Sequence, residues 1–404
     1  MSFWGEFSRY IFYAMGVAGI VVGAIGCLQI FKKDILFDEG YSYYNTGFAS
    51  TLGNVDCISG VIATLVPVLL CAFVLLDDRF RFIFPIGAAL MLFLQFVIDV
   101  DSGKLGLMAA TLVALPFLVD DKKKALRAAQ MFGVVCFVYG LRRMFIFPPV
   151  WPGACEDLER EIIQYSMNRT TVYAVIIGIF IFAVALLLET KLSNKVKNAK
   201  KGEAPELFRL APGKIRKYIF IAFGLIAVVA FTYIFNYSGE NKLLFDLHEA
   251  THLRLSDDAG SLRGVIYKTC FKLIAENPVF GVGPGAFMSA YAPYETFDTV
   301  TDFAHCDLLQ IGVCQGLVGL AVYVAFLVSL IVPALKNAHR FPPIVILVAG
   351  MAGYLVHSFF SFSIAIVTPT FWILAGILDK TIKQLPKSTD VVKAGQKGKN
   401  LKTK

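Results

Sequence analysis

The chain has 404 residues, 57% of them hydrophobic and only 17% charged, with a mean hydropathy of +0.65. That balance is too apolar for a soluble globular chain of this length and makes lipid the principal solvent. The formal net charge of +8 reads as topology and contact with anionic lipid, and gives no support to nucleic-acid binding.

Apolar runs close to the ~20 residues needed to cross a ~30 Å hydrocarbon core recur along the chain, and helices alone satisfy their own backbone groups there. Ten spans are predicted, near 10–31, 57–76, 82–99, 105–120, 128–148, 170–189, 218–236, 308–334, 342–360 and 361–379. The first is too long for a signal peptide, and no small-residue cleavage site follows it. The fold class expected is therefore all-α integral membrane, a polytopic bundle of about ten transmembrane helices.

Lys and Arg in short loops stay on the cytoplasmic side, which fixes the orientation. With the N-terminus inside, the inside segments hold Arg9, Arg79, Arg81, Lys122 to Lys124, Arg127, the Lys-rich stretch from Lys191 to Lys217, Lys336, Arg340 and the tail from Lys380. These are about two thirds of the basic residues, and they put both termini in the cytoplasm. Residues 1–379 are expected to form one transmembrane domain with a solvated cytoplasmic linker over 190–217, and 380–404 a basic, disordered tail. No internal repeat is visible, which argues against transporter folds built from two related halves. The eight cysteines form no CxxC pair and most lie within spans. Only Cys155, Cys270 and Cys306 fall in outer loops, so one bridge is possible and none is required.

The longest outer segment, about 237–304, is too long for a simple turn and should be a small folded element. Within it Leu262, Ile266, Cys270 or Phe271, and Ile274 recur at helical spacing, while Arg263, Tyr267 and Lys268 lie off the stripe. The pattern predicts an amphipathic helix on the membrane surface, ending at Asn277-Pro278. The run Gly281-Val282-Gly283-Pro284-Gly285 then permits tight, backbone-lined turns. It leads to His305 at the mouth of the eighth span.

Arg263 and His305 flank this loop at the outer surface, where a fixed cation can hold a pyrophosphate and a His can orient or titrate a hydroxyl. A surface Arg solvated by headgroups and a His satisfied by a carbonyl would look the same in sequence. Arg142 and Arg143 stand near the outer end of an apolar helix, against the positive-inside tendency. They either line an anion site or snorkel to headgroups. His248-Glu249-Ala250-Thr251-His252 matches the zincin pattern HExxH, without a third ligand at a standard spacing. Asp99-Val100-Asp101 is a pair that can hold a divalent cation against phosphates or simply cap a span. His339 and His357 carry no firm role.

Taken with their spacing, these residues resemble the O-antigen ligase and polymerase family of bacterial membrane glycosyltransferases. The strongest match is Glu276-Asn-Pro-Val-Phe-Gly-Val-Gly-Pro-Gly-Ala-Phe287, followed by Ala304-His-Cys-Asp-Leu-Leu-Gln310 and Gly316-Leu-Val-Gly-Leu320. Ser50-Thr-Leu-Gly-Asn54, Asp101-Ser-Gly103, Asp257-Asp-Ala-Gly-Ser-Leu-Arg263, His357-Ser-Phe-Phe-Ser-Phe362 and Thr368-Pro-Thr-Phe-Trp372 extend it to roughly residues 45–379. In detail the chain is most similar to the Gram-positive branch, where no lipopolysaccharide core serves as acceptor. It departs from the family pattern at Cys306, where Asn is common, and at Tyr267, where Trp is common.

The resemblance implies a GT-C-like helical enzyme that moves a glycan from an undecaprenyl-pyrophosphate carrier to an acceptor hydroxyl on a glycan, lipid or wall polymer at the outer face. Arg263, with Arg142 or Arg143, would bind the pyrophosphate, and His305 would position or deprotonate the attacking hydroxyl. Tyr267, Asn277, Gly283, Gly285 and Asp307 would line the substrate site, with Asn277 and the glycines shaping the loop. Neither a nucleotide, a cofactor nor an obligatory metal is implied. Rival readings are a flippase for lipid-linked glycans and, from HExxH, a membrane zinc protease.

Overall fold

The computed structural model describes residues 3–31, 35, 50–98, 100–119, 121–146, 164–165, 168–198, 212–252, 254, 256–257, 259–295, 301–339, 341–362 and 365–385. Within them the chain is helical apart from one two-residue antiparallel pair. The helices are α1 (Phe3–Ile30), α2 (Val55–Leu75), α3 (Ile83–Ile98), α4 (Asp101–Leu118), α5 (Lys122–Arg143), α6 (Arg169–Asn198) and α7 (Pro212–Phe235). There follow α8 (Lys242–Thr251), α9 (Ala259–Glu276), α10 (Phe287–Tyr291), α11 (Asp307–Asn337), α12 (Ile344–Phe359) and α13 (Thr368–Gln384). Seven of these, α1, α2, α4, α5, α6, α7 and α11, are long and apolar enough to cross a membrane, and α3 and α12 are shorter apolar helices. Every predicted span coincides with a helix.

The differences lie at the ends. The predicted fifth span runs to 148, but α5 stops at Arg143 and Phe145–Ile146 pairs with Gln164–Tyr165 as β1 and β2. A β-branched Ile followed by Pro148-Pro149 in the sequence cannot prolong the helix. The last predicted span begins at 361, yet α13 starts only at Thr368, with Pro369 in its first turn, where a missing N–H costs nothing. The predicted linker over 190–217 is partly helix. α6 continues through Asn198 because nothing in Glu189 to Asn198 breaks it, and α7 opens at Pro212. Likewise the first five residues of the predicted tail belong to α13, where Lys383 pairs with Asp379 at 2.7 Å. Residues 199–211 and 386–404 lie outside the described residues.

α2 is the hub of the bundle, buried along most of its length against α3, α4 and α12. Asn54 opens it by accepting the Asp56 amide at 2.7 Å. The most extensive helix pair is α5 with α6, where Gly133 and Gly178 bring the two backbones together. A Cβ on Gly133 would stand 2.8 Å from the Gly178 carbonyl, the close approach that small residues permit in membranes.

At the end of α2 remote from Asp56 lies a buried ionic knot. Arg81 holds both Glu189 carboxylate oxygens, at 2.8 and 3.0 Å, and Arg127 Nε and Gln130 Nε2 each donate to the same carboxylate at 2.8 Å. Arg127 also donates to Asp77 at 2.8 Å and to the Val74 and Leu76 carbonyls. Residues whose basic character marks orientation in the sequence thus tie the α2–α3 turn to α5 and α6. Removing one member of such a group strands the others, at a cost of about 3–5 kcal/mol.

A second, smaller core of Ile266, Cys270, Leu273, Phe287, Tyr291, Ala304, Val313 and Cys314 joins α9, α10 and the start of α11. The apolar stripe of α9 therefore packs on protein. Cys270 belongs to it and Phe271 faces outward.

Candidate functional site

The site is built on a break in α11. Gly316 has φ 67 and ψ −172, which interrupts the helix, and the Gly-rich loop lies against the interruption. Val282 and Gly283 donate their amides to the Val313 and Cys314 carbonyls at 2.9 and 3.0 Å, while Leu317 and Val318 donate to the Pro278 and Val279 carbonyls at 2.8 and 3.3 Å. In an unbroken helix Leu317 and Val318 would have bonded Val313 and Cys314. Loop and helix thus exchange partners, and none of the four groups is orphaned. Two glycines make this approach possible. A Cβ on Gly281 would collide with the Val313 carbonyl, and one on Gly316 with the Val279 carbonyl.

The loop carries the chain to His305, a non-glycine residue at φ 50. That conformation is uncommon for a side-chain-bearing residue and is held from several sides. The Tyr267 hydroxyl donates to the His305 carbonyl at 3.0 Å, and the Ala304 amide donates to Gln310 Oε1 at 2.8 Å. The imidazole stands edge-on to Phe362, 5.3 Å between centroids, and Phe362 stacks on Phe303. Its Nδ1 is buried and has no hydrogen-bond partner among the described residues. Burial, followed by the charge of Arg263, pushes the His305 pKa down to about 4, so the ring is neutral at neutral pH. Burial pushes the Tyr267 hydroxyl up to about 12, which keeps it a donor.

Arg263, near the start of α9, donates from Nη1 to the Phe360 carbonyl just past the end of α12, at 2.7 Å. This bond anchors one edge of the guanidinium, and Lys268 pairs with Asp257 at 2.6 Å to strap the preceding turn onto the same helix. The Arg263 charge also acts on Asp56, in the first turn of α2, and on His357, in the last turn of α12. One guanidinium thus lies within electrostatic range of groups on α2, α12 and the mouth of α11.

Of the residues picked out in the sequence, Arg263, His305 and Tyr267 come together. Asn277 directly follows α9, its amide bonded to the Leu273 carbonyl and its own carbonyl accepting from Gly281. Gly283 gives its amide to the helix break, and Gly285 turns the loop at φ 76 with open space around it. Asp307 is buried in the first turn of α11, where the helix dipole favours a carboxylate.

Arg142 is half-buried. It donates to the Phe96 and Phe145 carbonyls at 2.9 and 3.0 Å, closing the end of α5 over β1. Arg143 is exposed. In the HExxH match, His248 Nδ1 lies 3.1 Å from the Ile234 carbonyl and His252 Nδ1 lies 3.0 Å from the His248 carbonyl, with the His252 ring stacked on Phe235. No group of three metal-ligating side chains occurs among the described residues. Asp101 pairs with Lys104 at 2.8 Å, and Asp99 and Cys155 lie outside the described residues.

Asp56 and His357 are the neighbours that sequence reasoning did not assign. The only signal available was their position beside Asn54 and at the head of the His357 to Phe362 motif.

Residues 162–324 match the family model described as O-Antigen ligase. No curated protein matches the chain. The matched stretch contains α9, the Gly-rich loop, His305 and the Gly316 break, and with the long apolar helices it points to a multi-pass bacterial membrane protein. The match over this stretch agrees with the resemblance to the O-antigen ligase and polymerase family read from the motifs.

Proposed function

We propose that this protein transfers a glycan from undecaprenyl pyrophosphate to an acceptor hydroxyl. The observation that carries the reading is the pairing of an anchored guanidinium with a neutral, strained imidazole that has a buried, unpartnered nitrogen, inside an O-Antigen ligase domain. The acceptor oxygen attacks the anomeric carbon as the bond from that carbon to the pyrophosphate oxygen breaks. The electron pair leaves with undecaprenyl pyrophosphate, whose charge Arg263 holds, and the hydroxyl proton passes to His305. An imidazole at about 4 is a weak base in the empty site. A pyrophosphate bound at Arg263 offsets the guanidinium charge and strengthens that base when it is needed. The basic-residue pattern supports an orientation with both termini cytoplasmic and this site on the outer face.

The test is turnover of purified undecaprenyl-pyrophosphate-linked glycan by the purified protein, with the glycan profile of a deletion strain beside it. Elongated glycan and free undecaprenyl pyrophosphate are the expected products. Translocation of the donor between leaflets without product would refute transfer. Short units retained on lipid in the deletion strain mark a polymerase, and full-length chains stranded on lipid mark a ligase.

A pH dependence follows. Because a protonated imidazole cannot take the hydroxyl proton, kcat/KM should hold on the acid side until the pH nears the His305 pKa of about 4. The acid limb of kcat, which reports the loaded enzyme, should lie at higher pH than that of kcat/KM. Coincident limbs at an ordinary histidine pKa would count against this assignment.

A further inference from the structure

A second set of buried polar groups flanks, in sequence, the Phe360 carbonyl that anchors Arg263. His357 is 1% exposed, and neither of its ring nitrogens has a hydrogen-bond partner among the described residues. Ser361, just past the end of α12, is also 1% exposed, and its hydroxyl has no partner either. The Phe360 carbonyl between them is the one that anchors Arg263. Three buried polar atoms are thus left unsatisfied within five residues, an unfavourable arrangement if nothing fills it. A Leu or Phe in place of His357 would avoid the cost. α2 also makes room for the ring, because a Cβ on Gly60 would stand 2.8 Å from His357 Nε2 and 3.1 Å from Cδ2.

The missing partner can be characterised by what it must offer. Imidazole and hydroxyl each combine a donor with an acceptor, whereas an anion offers acceptors alone and already has Arg263 beside it. A hydroxyl group offers both. Building on the transfer reaction above, we propose that His357 and Ser361 form a subsite for a hydroxylated sugar ring next to the pyrophosphate held by Arg263. The sugar belongs either to the donor, at the carbon that leaves the carrier, or to the acceptor.

The full-length protein in lipid nanodiscs tests this with two probes, undecaprenyl pyrophosphate bearing no sugar and the same lipid bearing its native glycan. Wild type should bind the glycosylated lipid more tightly than the bare one. His357→Leu should bind the bare lipid as wild type does and lose about tenfold in affinity for the glycosylated one, the loss expected for one buried hydrogen bond with its partner left unpaired. His357→Gln, whose amide keeps a donor and an acceptor, should recover much of that loss. Gly60→Ala, which pushes a methyl into the ring, should mimic His357→Leu although alanine favours the helix. If instead the sugar is the acceptor's, donor binding is unchanged and the acceptor KM rises by a similar factor.

The subsite is overturned if His357→Leu changes neither donor affinity nor acceptor KM. It is equally overturned if that variant weakens both lipids alike and His357→Gln does no better, because the role is then structural. Wild-type protein that binds neither lipid refutes the transfer reading itself, a result separate from any behaviour of the variants.

Discussion

His305→Ala is expected to slow glycan transfer by about 10²–10⁴-fold while leaving binding of the lipid-linked donor within a few-fold of wild type. Among the described residues the ring makes no hydrogen bond that holds the fold together, since its Nδ1 has no partner there and Tyr267 bonds the backbone carbonyl of the same residue. Removing it therefore costs chemistry more than architecture. Relief of the positive φ by smaller or more flexible residues works in the same direction, so His305→Asn, which tolerates that conformation, should be well folded and equally slow. Arg263 should behave differently. Arg263→Ala removes a charge-assisted contact to pyrophosphate, and donor affinity should fall together with rate. Arg263→Lys keeps the charge but not the planar fork, which must reach the Phe360 carbonyl with one edge and the anion with another, so it too should be impaired. Turnover and donor binding, measured at matched expression, separate the two roles. A His305→Ala enzyme working at the wild-type rate would end the catalytic assignment.

The second large effect concerns Gly316. Replacing it with alanine places a Cβ into the Val279 carbonyl and asks an L-residue to hold φ 67 and ψ −172, a region that glycine alone normally occupies, which alone costs about 1–3 kcal/mol. The four exchanged hydrogen bonds are then at risk, each worth about 0.5–1.5 kcal/mol. Gly316→Ala should therefore detach the loop, expose 278–305 to protease and abolish turnover. Gly285→Ala, with φ 76 but nothing within 4 Å of its Cβ, meets only the conformational penalty and should be mild. Gly224→Ala, in a lipid-facing helix with open space around it, should be neutral. Protease digestion in nanodiscs, read beside turnover, orders the series. Equal behaviour of Gly316→Ala and Gly285→Ala would mean that the exchange contributes nothing.

Much of this was legible in the sequence because it is local. Apolar runs located a helix at each of the ten spans, and the stripe through Ile266 and Ile274 located α9, which ends one residue before Asn277. The Gly-rich loop was legible as a loop, and Arg263 and His305 as its flanking pair. What stayed hidden depends on partners far apart in the chain. The run from Gly316 to Leu320 was visible as a motif inside a span, but the break at Gly316 exists only because residues 278–283 arrive to replace the lost bonds. Arg81 and Arg127 read as orientation markers and Glu189 as the end of a span, since no periodicity reveals that the α2–α3 turn, α5 and α6 meet at one carboxylate. Arg142 reads as a cation near the outer end of a span, and its bonds to the carbonyls of Phe96 and Phe145 cannot be seen in a pattern of side chains. His357 went unassigned for the same reason, its link to Arg263 running through a carbonyl 97 residues away.

The exchange between loop and broken helix is made by main-chain groups alone. The side chains of Val279, Phe280, Leu317 and Val318 all point outward from it, exposed. They are free to be replaced without disturbing a single bond of the ladder, provided the two crowded glycines stay. These four positions can therefore diverge while the main-chain exchange, and the loop that it holds, persist.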